Sequence, residues 1–143
     1  MKIEEITAFN AEIQDTINMF LDLLVGEGYH ITKQQVEMII SDQNSHLFFA
    51  GNDDRSCIGM ITVGIYVTPT GKKAWIEDVV VDEKFRGEGV GKRLTNFAIQ
   101  FAKDQDADVV MLTSKPERIP ANSLYKKLGF EQKKTNVYRF LLK

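Results

Sequence analysis

The chain has 143 residues, the length of one domain spanning 1–143 with enough material for a sizeable core. Its 18 basic and 20 acidic residues are well mixed and leave a net charge of −2, so there is no basic footprint for nucleic acid. No apolar run approaches membrane-spanning length and no charged-then-apolar leader opens the chain, so no membrane partner is expected.

Residues 2–7 alternate enough for a first strand, with Ile3 and Ile6 as apolar members. Asn10 is a suitable N-cap for a helix from 11 to about 25, with Ile13, Ile17, Phe20, Leu21 and Leu24 at helical spacing. Gly26-Glu27-Gly28 ends it, and Thr32 caps a second helix that turns Val36, Ile39 and Ile40 inward. Residues 47–50 and 56–67 read as a hairpin around Gly51-Asn52-Asp53-Asp54. The single cysteine, Cys57, lies in the second of these strands. Alone it forms no internal disulfide, fits a reducing cytoplasm and reads as a small core residue. No histidine neighbours it to activate a nucleophile, and His30 and His46 stand too far apart for a zinc pair.

Pro69-Thr70-Gly71-Lys72 turns the chain into its central stretch, where Trp75-Ile76-Glu77-Asp78-Val79-Val80-Val81 reads as a strand buried on both faces. A turn with Gly87, Gly89 and Gly91 follows, and then an amphipathic helix marked by Leu94, Phe97, Ala98, Phe101 and Ala102. A strand that empties through glycines into a helix presents backbone N–H groups at the positive end of a helix dipole, an anion site. A Walker loop is excluded because Arg86 holds its first glycine's place and Arg93 follows Lys92. The dinucleotide fingerprint fails because the third glycine comes at the fifth position rather than the sixth. Residues 107–114 form a second buried strand, and a short helix through Asn122 and Tyr125 closes on Leu128-Gly129-Phe130. Short strands near 130–132 and over 136–142 complete the reading.

Two stretches together, Arg86-x-x-Gly89-x-Gly91 after a buried strand and Asn122-x-x-Tyr125 before Leu128-Gly129-Phe130, resemble the two signatures of the GNAT superfamily of N-acetyltransferases. With the elements above, the resemblance implies an α/β fold in the order β-α-α-β-β-β-α-β-α-β-β. This is a twisted mixed sheet of six or seven strands with helices on both faces.

The resemblance also implies acetyl-CoA as cofactor, its pantetheine arm pairing with the backbone of Val79, Val80 and Val81 like an added strand. The pyrophosphate would meet the amides of Arg86, Gly87, Glu88, Gly89, Val90, Gly91 and Lys92. The Arg86 side chain can add a charge-assisted bond. Lys92 and Arg93 open a helix where cations are disfavoured, a conflict that a bound anion would offset, although Arg93 reads as solvated. Asn122 would hydrogen-bond the pantetheine arm or the phosphate. Tyr125 would protonate the departing thiolate.

An alkylammonium acceptor with a pKa near about 10.4 must lose a proton before it can attack. Glu77, acting directly or through water, is the first choice of base and Asp78 the second. Strand alternation lets only one of them face the amine unless a bulge intervenes. Neither a covalent enzyme intermediate nor a metal is called for.

The expected acceptor is a small amine: an amino sugar phosphate, an aminoalkylphosphonate, a polyamine or similar. Phe20, Leu24 and above all Tyr29 are candidates for the pocket wall, against the plain reading of Phe20 and Leu24 as core. Arg118 is a candidate for an acceptor's phosphate or carboxylate, against a solvated loop residue. A protein N-terminal or lysine acceptor stays open, and so does a non-catalytic acyl-CoA-binding module. A homodimer is the default for a small enzyme.

Overall fold

A computed structural model describes residues 1–143, which fall into two units, 1–113 and 114–143. In the first, β1 (Lys2–Glu5) is followed by helices α1 (Ala11–Leu24) and α2 (Lys33–Ser41). The strands β2 (Ser45–Gly51), β3 (Cys57–Thr68) and β4 (Gly71–Val81) come next. A single 3-10 turn (Glu83–Phe85) leads to α3 (Val90–Asp104) and the short β5 (Val109–Met111). The strands make one sheet in the order β1-β2-β3-β4-β5. Pairing is antiparallel as far as β4, and β4 pairs with β5 in parallel.

Local chemistry sets the helix starts. Asn10 Oδ1 accepts from Ile13 N at 2.8 Å, satisfying a donor that α1 leaves open. Thr32 and Gln35 form a reciprocal capping box on α2, at 3.2 and 2.8 Å. Between the two helices, Ile31 is pinned to α1 through both its backbone groups. Its N–H donates to Asn18 Oδ1 at 2.7 Å, and its carbonyl accepts from Gln14 Nε2 at 3.1 Å.

Strand alternation sorts the core onto two faces. Ile17, Phe20 and Leu21 of α1 and Val36 of α2 pack with Leu47, Met60 and Val80 on one face. Phe48, next to Leu47 and so on the other face, meets the α3 rings of Phe97 and Phe101 edge-on at 4.9 and 5.0 Å. Gly59 admits α3 to that face: a Cβ there would lie 2.9 Å from Leu94 Cδ1 and 3.1 Å from the Val80 carbonyl. Helices therefore cover both faces, as expected. No helix of the chain is long and apolar enough to cross a membrane.

The second unit contains α4 (Ile119–Lys127), which opens with Pro120 in its first turn. It closes on a Schellman motif. Phe130 N donates to the Tyr125 carbonyl and Gly129 N to that of Lys126, with Gly129 at φ 100°. The rings of Tyr125 and Phe130 meet edge-to-face at 5.8 Å, the apolar contact that accompanies this cap.

The expected element order holds through α4 and then stops. The sheet has five strands rather than six or seven, and neither 130–132 nor 136–142 is a strand. Alternating apolar residues make a segment suitable for a sheet, but a strand forms only beside a partner whose backbone groups it can pair. Residues 136–142 are not among the five strands that pair.

Candidate functional site

Two features of β4 prepare a site. The first is a parting of strands. β5 pairs only with Lys73, Ala74 and Trp75, so β4 from Ile76 to Val81 has no neighbour on that side. Its backbone groups there can take an added extended ligand. The second is a bulge. Glu77 pairs with Thr62 and Val80 with Met60, so Ile61 alone opposes both Asp78 and Val79. The bulge resolves the alternation problem posed by the sequence. Thr62 and Met60 share a face, so Glu77 and Val80 do too, and Glu77 and Asp78 are both exposed at its apex.

The two carboxyls feel one another there. Burial, and then the charge of Asp78, pushes the Glu77 pKa up, and burial raises that of Asp78. Asp78 takes the extra residue's place at φ 50°, a left-handed conformation that costs a non-glycine residue about 1–3 kcal/mol. Asp78→Val is therefore expected to destabilise the fold by roughly 1–3 kcal/mol, because a β-branched residue resists that φ. Asp78→Gly should melt close to the parent. Thermal melts of the two variants check this, and equal melting would remove the strain.

β4 runs directly into the glycine turn. Asp82 N donates to the Ile58 carbonyl at 2.9 Å, which fixes the strand's end, and Asp82 Oδ1 accepts from Lys84 N at 2.9 Å. Arg86 Nε donates to the Val81 carbonyl at 3.3 Å, with its Nη1 3.9 Å from Glu83. Gly87 and Gly89 stand at φ 81° and 82°. Gly89 occupies the N-cap of α3, where no side chain caps the helix. The first-turn N–H groups of α3 are thus left to a ligand. Residues 86–89 are exposed, and a Cβ at Gly87 or Gly89 would meet nothing within 4 Å, so the cradle is open. Val90 is buried and anchors the turn, while Gly91 lies within the helix and Lys92 is exposed beside it. A pyrophosphate fits this arrangement of uncapped amides, glycines and cations.

In the second unit, Asn122 has a role that its sequence position did not announce. Its Nδ2 donates to the Lys115 and Arg118 carbonyls at 2.8 and 2.9 Å, which closes the loop before α4. Both amide hydrogens are thereby engaged, and its Oδ1 is the atom left for a ligand. Arg118 holds the N-cap position of α4 without capping it through its side chain. Tyr125 is buried, and burial raises its phenol pKa while the Arg118 cation pulls the other way. Ser114 was missed. Its Oγ is buried without a hydrogen-bond partner, a costly state that a ligand would relieve, and nothing in a lone serine signals it.

The candidate acceptor residues of the first unit differ in burial. Phe20 is fully buried against Phe49 at 6.5 Å between centroids and belongs to the core, and Leu24 packs against that core. Tyr29 stands 55% exposed in the turn between α1 and α2. Cys57 is also no reactive group. Its Sγ–H donates to the Gly59 carbonyl at 3.4 Å, and burial pushes the thiol up to about 11. It should resist alkylation by iodoacetamide at neutral pH in the folded state and react on unfolding, as mass spectrometry would record.

The sequence profile of the Acetyltransferase (GNAT) family matches residues 12–130. An uncharacterized N-acetyltransferase of Methanocaldococcus jannaschii is 43% identical over 60 residues, which are 42% of this chain and 26% of that protein. N-alpha-acetyltransferase 30 of Saccharomyces cerevisiae is 26% identical over 93% of this chain and 77% of its own. Among solved structures, an aminoglycoside acetyltransferase from an uncultured soil metagenomic sample superposes with a TM-score of 0.86. It is 18% identical, over 99% of this chain and 96% of that one. The chain spans about a quarter to two fifths of the length of the curated relatives it matches most strongly.

Proposed function

The chain belongs to the GNAT family of acetyltransferases, and on that premise we propose that it moves an acetyl group from acetyl-CoA directly onto a primary amine of a small molecule. The observation that carries this reading is the continuity of the unpaired length of β4, ending at Val81, with the uncapped start of α3 at Gly89. An extended arm and a diphosphate are the two parts of one ligand that such a strip and such a cradle take in succession.

Bound acetyl-CoA supplies an acyl group already activated as a thioester. The backbone of Val79 to Val81 aligns the arm, and the amides of residues 86–92 hold the diphosphate with the Arg86 cation beside them. Ser114 Oγ and Asn122 Oδ1 offer further polar contacts. Glu77 accepts the proton of the incoming amine, directly or through water, and the Glu77–Asp78 pair draws a cationic amine to the bulge. Tyr125, whose raised pKa keeps its phenol protonated through the neutral range, donates a proton to the departing sulfur.

A small amine is favoured by the likeness in fold to an aminoglycoside acetyltransferase. A peptide N-terminus is the second reading, favoured by the alignment with the yeast N-alpha-acetyltransferase over nearly the whole chain. The test is thiol release from acetyl-CoA with a panel of amino sugars and their phosphates, aminoalkylphosphonates, polyamines, aminoglycosides and free-N-terminus peptides. Turnover of a small amine supports the proposal, turnover of peptides alone supports the second reading, and acetyl-CoA binding without any turnover leaves a binding module.

Glu77 adds a signature. A base works only when deprotonated, and burial raises its pKa above 4.5. The acid limb of kcat/KM should therefore rise with pH through a value above 4.5, and Glu77→Gln should lower kcat/KM about 100-fold and erase that limb. An unchanged profile would pass the role to Asp78 or to water.

A further inference from the structure

The face of the sheet that carries Glu77 is closed over only part of its length. Helices α1 and α2 pack on it around Leu47, Met60 and Val80. Further along β3 and β4 the cover gives out: Thr62, Gly64 and Trp75 are half-buried and Tyr66 is 44% exposed. Register places these residues together. Glu77 pairs with Thr62, Trp75 with Gly64 and Lys73 with Tyr66, so all six share that face. On its other side Gly64 pairs with Ser45, and a Cβ built on the glycine would meet only the Asn44 carbonyl, at 4.0 Å. The result is a depression with a glycine floor, small hydroxyl residues beside it and an indole for a wall. The indole is held in place, because Trp75 Nε1 donates to Tyr66 Oη at 2.7 Å. Glu77 lies one pleat further on, about 7 Å along the strand.

We propose that the depression over Gly64 seats the body of the acceptor, a hydroxylated ring bearing a single ammonium, with its amine directed to Glu77 and its ring against Trp75. The proposal rests on acetyl transfer to a small amine and names the residues that select that amine. Three features set its class. An indole presents a flat apolar surface to the C–H face of a ring and a negative quadrupole to a nearby cation. The hydroxyls of Thr62 and Ser45 can donate to or accept from ring hydroxyls. Lys73, two residues before Trp75 on the same face, adds a positive charge that repels a second ammonium and favours an anionic substituent. A linear polyamine has no ring to lay on the indole and brings the extra cations that Lys73 opposes.

Trp75 is the chain's single tryptophan, so its fluorescence reads the seat directly and without turnover. The full chain, saturated with CoA, is titrated with glucosamine, glucosamine 6-phosphate and spermidine. At least one amino sugar should change the emission saturably and bind more tightly than spermidine. Gly64→Val should fill the floor. Gly64 carries no positive φ, and valine suits a strand. The variant should therefore melt at or above the parent and bind acetyl-CoA unchanged, while its affinity for the sugar falls about 10-fold or more. Trp75→Leu, followed by thiol release, should raise KM for the sugar by a similar factor with kcat little changed. No saturable change with either sugar, tighter binding of spermidine, or undiminished affinity in a folded Gly64→Val overturns the proposal. So does a KM that Trp75→Leu leaves unaltered. Saturable binding of a sugar without any thiol release supports the seat and overturns acetyl transfer instead.

Discussion

Tyr125→Phe is expected to lower kcat about 100-fold or more while leaving acetyl-CoA affinity and the melting temperature nearly unchanged. The substitution removes one hydroxyl and nothing else that the fold uses. The Tyr125 carbonyl is held by Phe130 N in the Schellman motif, and its ring meets Phe130 edge-to-face at 5.8 Å. A phenylalanine keeps both. What disappears is a proton donor, and a positioned general acid contributes typically about 10²–10⁴-fold. If the hydroxyl acts only as the thiolate leaves, kcat and kcat/KM should fall together. The pH profile gives an independent sign. A donor is active while protonated, and burial raises this phenol above 10, so the basic limb due to Tyr125 lies above pH 10 and should vanish in the variant. Tyr125→Ala is the contrasting control. It removes the apolar contact of the cap as well and should destabilise by about 3 kcal/mol. Full turnover by Tyr125→Phe would reduce the tyrosine to a packing residue.

The parts of the site legible in sequence are those with a local cause. Asn10 and Thr32 announce helix starts because a short polar side chain beside open N–H groups has one good use. Leu128-Gly129-Phe130 announces a helix end because the positive φ at Gly129 and the Tyr125–Phe130 contact belong to the same few residues. The glycine turn was legible for the same reason, since the uncapped helix start and the left-handed glycines are neighbours in the chain.

What escaped depends on register or on distant partners. The bulge at Asp78 is a relation between β3 and β4, and alternation alone could only pose it as a condition. Phe20 reads equally as core or as pocket until Phe49 closes over it. Asn122 sits in a signature, yet its amide hydrogens go to the preceding loop. Alternation over 136–142 says what the segment would suit, and not whether a neighbouring strand is there to receive it. Sequence patterns report a residue's preference, while register and tertiary contact decide whether the preference is met.

Gly89→Val should weaken acetyl-CoA binding about 100-fold or more while leaving the chain folded. The glycine stands at φ 82° in the N-cap of α3, where a left-handed conformation costs an ordinary residue about 1–2 kcal/mol and a β-branched one more. Valine therefore has two outcomes. It endures the strain with its side chain over the open cradle, or it relaxes φ and turns the first-turn amides away from the diphosphate. Both remove the ligand's partners. The magnitude follows from the bonds at stake: hydrogen bonds to a charged group are worth about 1.5–3 kcal/mol each, so losing two of them weakens binding by roughly 100-fold or more. A Cβ at this position meets nothing within 4 Å, so the loss should be far larger in calorimetric titration than in thermal melting, as a binding role requires and a packing role does not. Gly89→Asn separates strain from bulk, because asparagine tolerates positive φ. It should melt nearer the parent than valine does, yet still lose affinity to the side chain above the amides. Arg86→Gln, which removes a single cation and leaves the amides in place, should weaken binding only about 10-fold. Undiminished affinity in Gly89→Val would mean that the diphosphate lies elsewhere, and the assignment of the 86–92 turn would fall with it.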